Sequence, residues 1–117
     1  MSRRTQRVDE LLHSELADLL LRRVKDPRVR NCAISGVRTS PDLSHATVMV
    51  SALGTEDERL QAVRSLDHAR GFLRSELARR LRHMKRIPTL HFELDRGAEH
   101  SQTISDLLEN LNHEHGT

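Results

Sequence analysis

Near the start of the chain Val8, Leu11, Leu12, Leu16, Leu19 and Leu20 recur at steps of three and four. That period puts them on one side of a helix running from about Thr5 to Val24. The helix stops ahead of Pro27, because the residue before a proline is driven out of the helical region, and "DPR" at 26–28 reads as a turn. The period then shortens. "CAISGVRTS" at 32–40 and "HATVMVSAL" at 45–53 are rich in β-branched residues and are separated by "PDLS", so they read as an antiparallel hairpin. In its second strand Ala46, Val48, Val50 and Ala52 share the face turned to the core.

From 54 the helical period returns: Thr55 and three acidic residues precede Leu60, Val63 and Leu66, a helix start with carboxylates beside the N-terminal dipole. This helix reaches "ARGFLRSEL" at 69–77, where Gly71 interrupts an otherwise helical stretch at a cost of about 1 kcal/mol relative to alanine. The glycine is read as a bend between two helices, with a backbone conformation that a Cβ would hinder, so that Gly71→Ala is expected to destabilise. Beyond it Leu73, Leu77, Leu81 and Met84 form an apolar stripe, and Arg74, Arg79, Arg82, Lys85 and Arg86 fall on the outer face of a helix that Pro88 ends. "TLHFELD" at 89–95 then alternates Leu90, Phe92 and Leu94 inward, a third strand, and Ile104, Leu107, Leu108 and Leu111 outline a short last helix. The order α-β-β-α-bend-α-β-α predicts an α+β domain, a three-stranded sheet with helices on one face, spanning 1–117 with about 113–117 as a frayed tail. It is also the order of KH-type RNA-binding domains, whose GXXG loop has no counterpart here; Ala69-Arg70-Gly71 stands in its place.

The net charge is only +2, yet it is unevenly spread. "RRVKDPRVR" at 22–30 sets five cations against Asp26, and 70–86 sets seven against Glu76, whereas six carboxylates from Glu93 onward oppose Arg96 alone. Such a chain can offer a basic face to a polyanion while staying nearly neutral. Arg28, Arg30, Arg70, Arg74, Arg79, Arg82, Lys85 and Arg86 are therefore the candidate RNA-binding residues. With Phe72 and Phe92 the only aromatic rings and Phe92 expected in the core, base stacking is nearly unavailable, and binding is expected to read backbone and shape.

Other chemistry finds little support. The histidines are scattered, with no HExxH, nucleophile elbow or phosphate loop, so no catalytic residue is assigned. His113 and His115 lack a third ligand, and the single cysteine, Cys32, is expected in the core, so no metal or cofactor is assigned. No apolar run is long enough to span a bilayer and none follows the N-terminal arginines, so a cytoplasmic protein without a membrane partner is expected.

Taken together, "RRTQRVDELLHSELADLL", "DPRV", "SPDLSHATVMVSALG", "ARGFLRSEL" and "RIPTLHFELD", in that order and spacing, resemble the ribosome-binding factor A family of bacterial small-subunit assembly factors. The resemblance covers nearly the whole chain. It implies a single type II KH-like domain in which an Ala-x-Gly helix kink, here Ala69, Arg70 and Gly71, replaces the GXXG loop. It further implies a non-enzymatic monomer that binds the free 30S subunit and its 16S rRNA near the 5′-terminal helix, not DNA. Assistance to late 30S maturation and 16S rRNA processing, and a part in cold adaptation, are implied in the same way. A generic KH-type RNA-binding protein acting outside the ribosome is the alternative.

Overall fold

In the computed structural model, which describes residues 3–97, the first apolar stripe forms helix α1, Arg3–Arg22. Its buried side, Val8, Leu12, Leu16 and Leu19, is the expected one, while Leu11 is left exposed. A 3₁₀ turn at Pro27–Val29 follows, capped by the Asp26 carboxylate, which accepts the Arg28 N–H at 2.9 Å. Strands β1, Cys32–Thr39, and β2, His45–Ala52, form the antiparallel hairpin. Helices α2, Glu56–His68, and α3, Arg70–Arg80, then lead to strand β3, Thr89–Leu94.

The sheet order is β1-β2-β3, with β3 parallel to β2. A parallel neighbour requires a long crossover, which α2 and α3 supply. The register pairs Ala46 with Leu90 and Val48 with Phe92, so the alternating apolar residues of both strands line one face. On that face Ile34, Ala46, Val48, Val50, Leu90 and Phe92 form one cluster with Leu12, Leu16 and Leu19 of α1, Leu66 of α2, and Leu73 and Leu77 of α3. All three helices thus cover the same side of the sheet. Ala52, expected in the core, is only half-buried at the strand end.

Polar contacts fix the ends of these elements. Thr55 and Glu58 form a capping box at the start of α2. Arg80 of α3 donates to Glu15 at 3.1 Å and to Asp18 at 2.6 Å, tying α3 to α1. Past β3, Asp95 accepts the Ser35 hydroxyl across the sheet at 2.6 Å, and Arg96 pairs with Glu56. The predicted helix around 104–111 and the tail at 113–117 lie outside the described residues.

Candidate nucleic-acid interface

The candidate site is built around the joint between α2 and α3. Ala69 sits there with φ −86° and ψ 1°, between the helical and extended regions, and its N–H is shared by the carbonyls of Ser65 and Leu66. The bonding of α3 restarts with the Leu73 N–H on the Ala69 carbonyl at 2.9 Å. The interruption turns Leu66 and Leu73, both fully buried, onto one core from two helices.

The break is therefore at Ala69, and Gly71 lies one residue inside α3. Its φ is outside the left-handed region, and a Cβ built on it would meet nothing within 4 Å. The expectation that a Cβ is hindered at Gly71 is overturned: the fold leaves open space there.

The helix expected to continue until Pro88 ends at Arg80 instead. Leu81, with φ −110° and ψ 53°, caps it, and the Met84 N–H bonds the Leu81 carbonyl in a following turn. Leu81, Ile87 and Pro88 are all buried, so the connection folds back onto the core to cover them. Arg82, Lys85 and Arg86 are consequently exposed residues of this connection and not of a helix face.

Arg74 reaches across to it. Its Nε and Nη2 donate to the Ile87 carbonyl at 3.2 and 2.9 Å, stapling α3 to the residues ahead of β3. The result is an open depression of about 600 Å³ lined by the cations Arg74, Arg82, Lys85 and Arg86 together with Gly71, Ser75 and Ala78, and containing no carboxylate. On the other side of Gly71 a second hollow is lined by Arg64, His68 and Arg70, with Asp67 3.8 Å from Arg70. Bare backbone at Gly71 is the saddle between two cationic surfaces.

The remaining candidates lie apart. Arg79 points to Glu76 at 3.3 Å and lines neither hollow. Arg30 borders a groove between the end of α1 and the start of β1. Arg28 is clamped by Asp26 at 2.8 Å, which holds the Asp26 carboxyl below the usual carboxylate range, and it faces the Ala69 side of the joint. Phe92 is buried as expected, but Phe72 is 43% exposed, so one aromatic ring is available at the surface after all. Arg64, His68 and Ser75 were not singled out from sequence, and Phe72 was noted as an aromatic ring without being placed in the site. Phe72 had a signal, since at about 100° per residue it falls well off the stripe of Leu73 and Leu77.

Away from the joint, the β2–β3 register brings His45 and His91 together, Nδ1 to Nε2 at 3.0 Å. No group of three or more potential metal ligands occurs among the described residues. Burial pushes the Cys32 thiol up to about 11, and its Sγ–H donates to the Val29 carbonyl. No helix among the described residues is long and apolar enough to cross a membrane.

Comparison with known proteins gives this geometry a context. The family model described as Ribosome-binding factor A matches residues 4–108. Ribosome-binding factor A of Prochlorococcus marinus (strain MIT 9303) is 41% identical over 117 residues, covering 98% of this chain and 82% of that protein. Among solved structures, the crystal structure of ribosome-binding factor A from Thermus thermophilus matches with a TM-score of 0.69 and 33% identity, over 80% of this chain and 98% of that one. A homology model of the Thermus thermophilus protein, fitted into a cryo-EM map of a complex with the 30S subunit, matches with a TM-score of 0.63 and 36% identity, over 74% of this chain and 90% of that one.

Proposed function

The chain belongs to the ribosome-binding factor A family, and from that premise we propose that it binds the free 30S ribosomal subunit, gripping 16S rRNA at the joint between α2 and α3. The observation that carries the reading is the depression beside Gly71, where Arg82, Lys85 and Arg86 from one connection meet Arg74 and Ser75 from α3 with no carboxylate between them. A phosphate chain lying there replaces condensed counterions with guanidinium and ammonium groups. Bare backbone at Gly71 lets it approach closely. The relative fitted into a map of a 30S complex supports the choice of particle.

The protein assists late maturation of the subunit and processing of its 16S rRNA by binding near the 5′-terminal helix, as a cytoplasmic monomer that carries out no chemistry itself. It supports growth in the cold through the same activity. Arg70 contributes from the far side of Gly71; Arg28 and Arg30 form an outlying patch, and Arg79, held by Glu76, contributes least.

Co-sedimentation with free small subunits over a range of salt concentrations tests the proposal. Arg82 and Lys85 are exposed, so the double change Arg82→Glu, Lys85→Glu leaves the fold intact. It should weaken binding and flatten the salt dependence by about 0.7–0.9 in logarithmic slope for each phosphate that is no longer neutralised. A folded double variant that binds as the parent does rejects this surface.

A further inference from the structure

Phe72 is the exposed ring among the two phenylalanines, and the structure gives it specific surroundings. Together with Val24, Pro27 and Ala69 it forms the apolar part of a depression of about 540 Å³ on the α1 side of the joint. The depression is shallow and open, so it can offer one face to a flat group without enclosing it. The rest of its rim is basic: Arg23, Lys25 and Arg28, opposed in the lining by Asp26 alone. Asp26 is occupied by Arg28, Arg23 stands 3.7 Å from Glu76, and Lys25 has no ion-pair partner among the described residues.

An apolar ring within a cationic rim matches a ligand with a flat, weakly polar face and a neighbouring negative charge. A nucleotide has both. In a duplex the base faces are covered by their neighbours, so only an unstacked base from a loop, bulge or single strand can offer one. The location agrees, because Phe72 follows Gly71 directly in the first turn of α3 and Ala69, the break residue of the joint, lines the depression with it.

We propose that the depression around Phe72 binds one unstacked RNA base, with the base face on the Phe72 ring and an adjacent phosphate at Lys25 and Arg23. The proposal rests on the small-subunit reading above and adds what the cationic depression cannot supply, a preference for single-stranded over paired RNA. Phenylalanine offers no hydrogen-bonding group, so the pocket favours an unpaired base without selecting among the four.

The test uses the full chain, free 30S subunits, and a short single-stranded oligoribonucleotide carrying 2-aminopurine, whose emission falls when it stacks; the same oligonucleotide paired to its complement is the control. The chain has no tryptophan or tyrosine to add emission of its own. The parent protein should quench the single strand and bind it more tightly than the duplex. Phe72→Ala should lower single-strand affinity by about five- to a hundredfold, the range that stacking on an aromatic ring supplies, and abolish the quench. Phe72→Leu, which keeps an apolar side chain, should also lose the quench, and Phe72→Tyr should retain it.

Quenching that survives Phe72→Ala overturns the proposal. So does a loss of 30S binding in that variant with oligonucleotide binding unchanged, which would place a ribosomal protein on the ring. A parent protein that binds 30S subunits through Arg82 and Lys85 yet does not quench the oligonucleotide overturns the base pocket alone; one that binds neither overturns the small-subunit reading with it.

Discussion

Gly71 and Gly54 show how differently two glycines can be used. At Gly54 φ is +119° and an added Cβ would lie 3.2 Å from Glu58, so the turn into α2 needs a glycine. At Gly71 neither condition holds, and the residue sits in the first turn of α3 with open space above it. Gly71→Ala should therefore leave the protein unchanged or more stable, by up to about 1 kcal/mol in denaturant melts. If RNA passes over the bare backbone, the same variant binds 30S subunits less tightly. Higher stability together with weaker binding would identify a glycine kept for its ligand; loss of stability would mean that the α2–α3 joint does need it.

Among the elements, the connection from Leu81 to Pro88 was the least legible in sequence. The spacing Leu73, Leu77, Leu81, Met84 continues a helical period across its start, and nothing local says that the chain will turn. What turns it is tertiary: Leu81, Ile87 and Pro88 all find burial against the core, and the Arg74 guanidinium bonds the Ile87 carbonyl. Arg74 is accordingly a strut as well as a cation. Arg74→Lys keeps the charge but loses the planar fork, and should cost about 1 kcal/mol in thermal or denaturant melts. Unchanged stability with reduced 30S binding would instead place Arg74 on the ligand alone. By contrast the hairpin, α1 and the alternation of β3 were legible, because their patterns report burial on one face and the core uses that face. The charge run of 70–86 was visible as charge only. Its division into Arg82, Lys85 and Arg86, whose depression holds no carboxylate, and Arg79, equally exposed but 3.3 Å from Glu76, depends on partners that the sequence does not rank.

Across the whole molecule, the KH-like α+β fold carries ionised carboxylates at its exposed turns and element ends, each held by nearby hydrogen-bond donors. Hydrogen bonds from Arg80 and Arg22 hold Asp18 low, those from Arg28 hold Asp26, the Ser44 and Ser40 hydroxyls hold Asp42, and Arg96 holds Glu56. Each of these groups has a folded-state pKa below its unfolded value. Their contribution is complete above the unfolded carboxylate values and is lost as pH falls through the folded ones. Stability should thus be nearly level from neutral pH to about pH 5 and decline below about pH 4. Denaturant melts at a series of pH values check this; a level profile down to about pH 3 would show that these contacts do not matter to folding.

The parallel pairing of β2 with β3 also sets an order of assembly in time. β1 and β2 meet through a short turn, whereas β3 can reach β2 only after the intervening chain with both later helices has been brought round, a closure with a much larger entropic cost. The Thr89 N–H bond to the Ser44 carbonyl and the Asp95 N–H bond to the Val50 carbonyl belong to that late event. Arg82, Lys85 and Arg86 lie immediately ahead of β3, so their arrangement is completed only when the final strand docks. Because Leu90 and Phe92 of β3 share the core with all three helices, a chain that lacks the docked strand has neither a completed core nor an assembled cationic depression, and recognition of its target would begin only with completed folding.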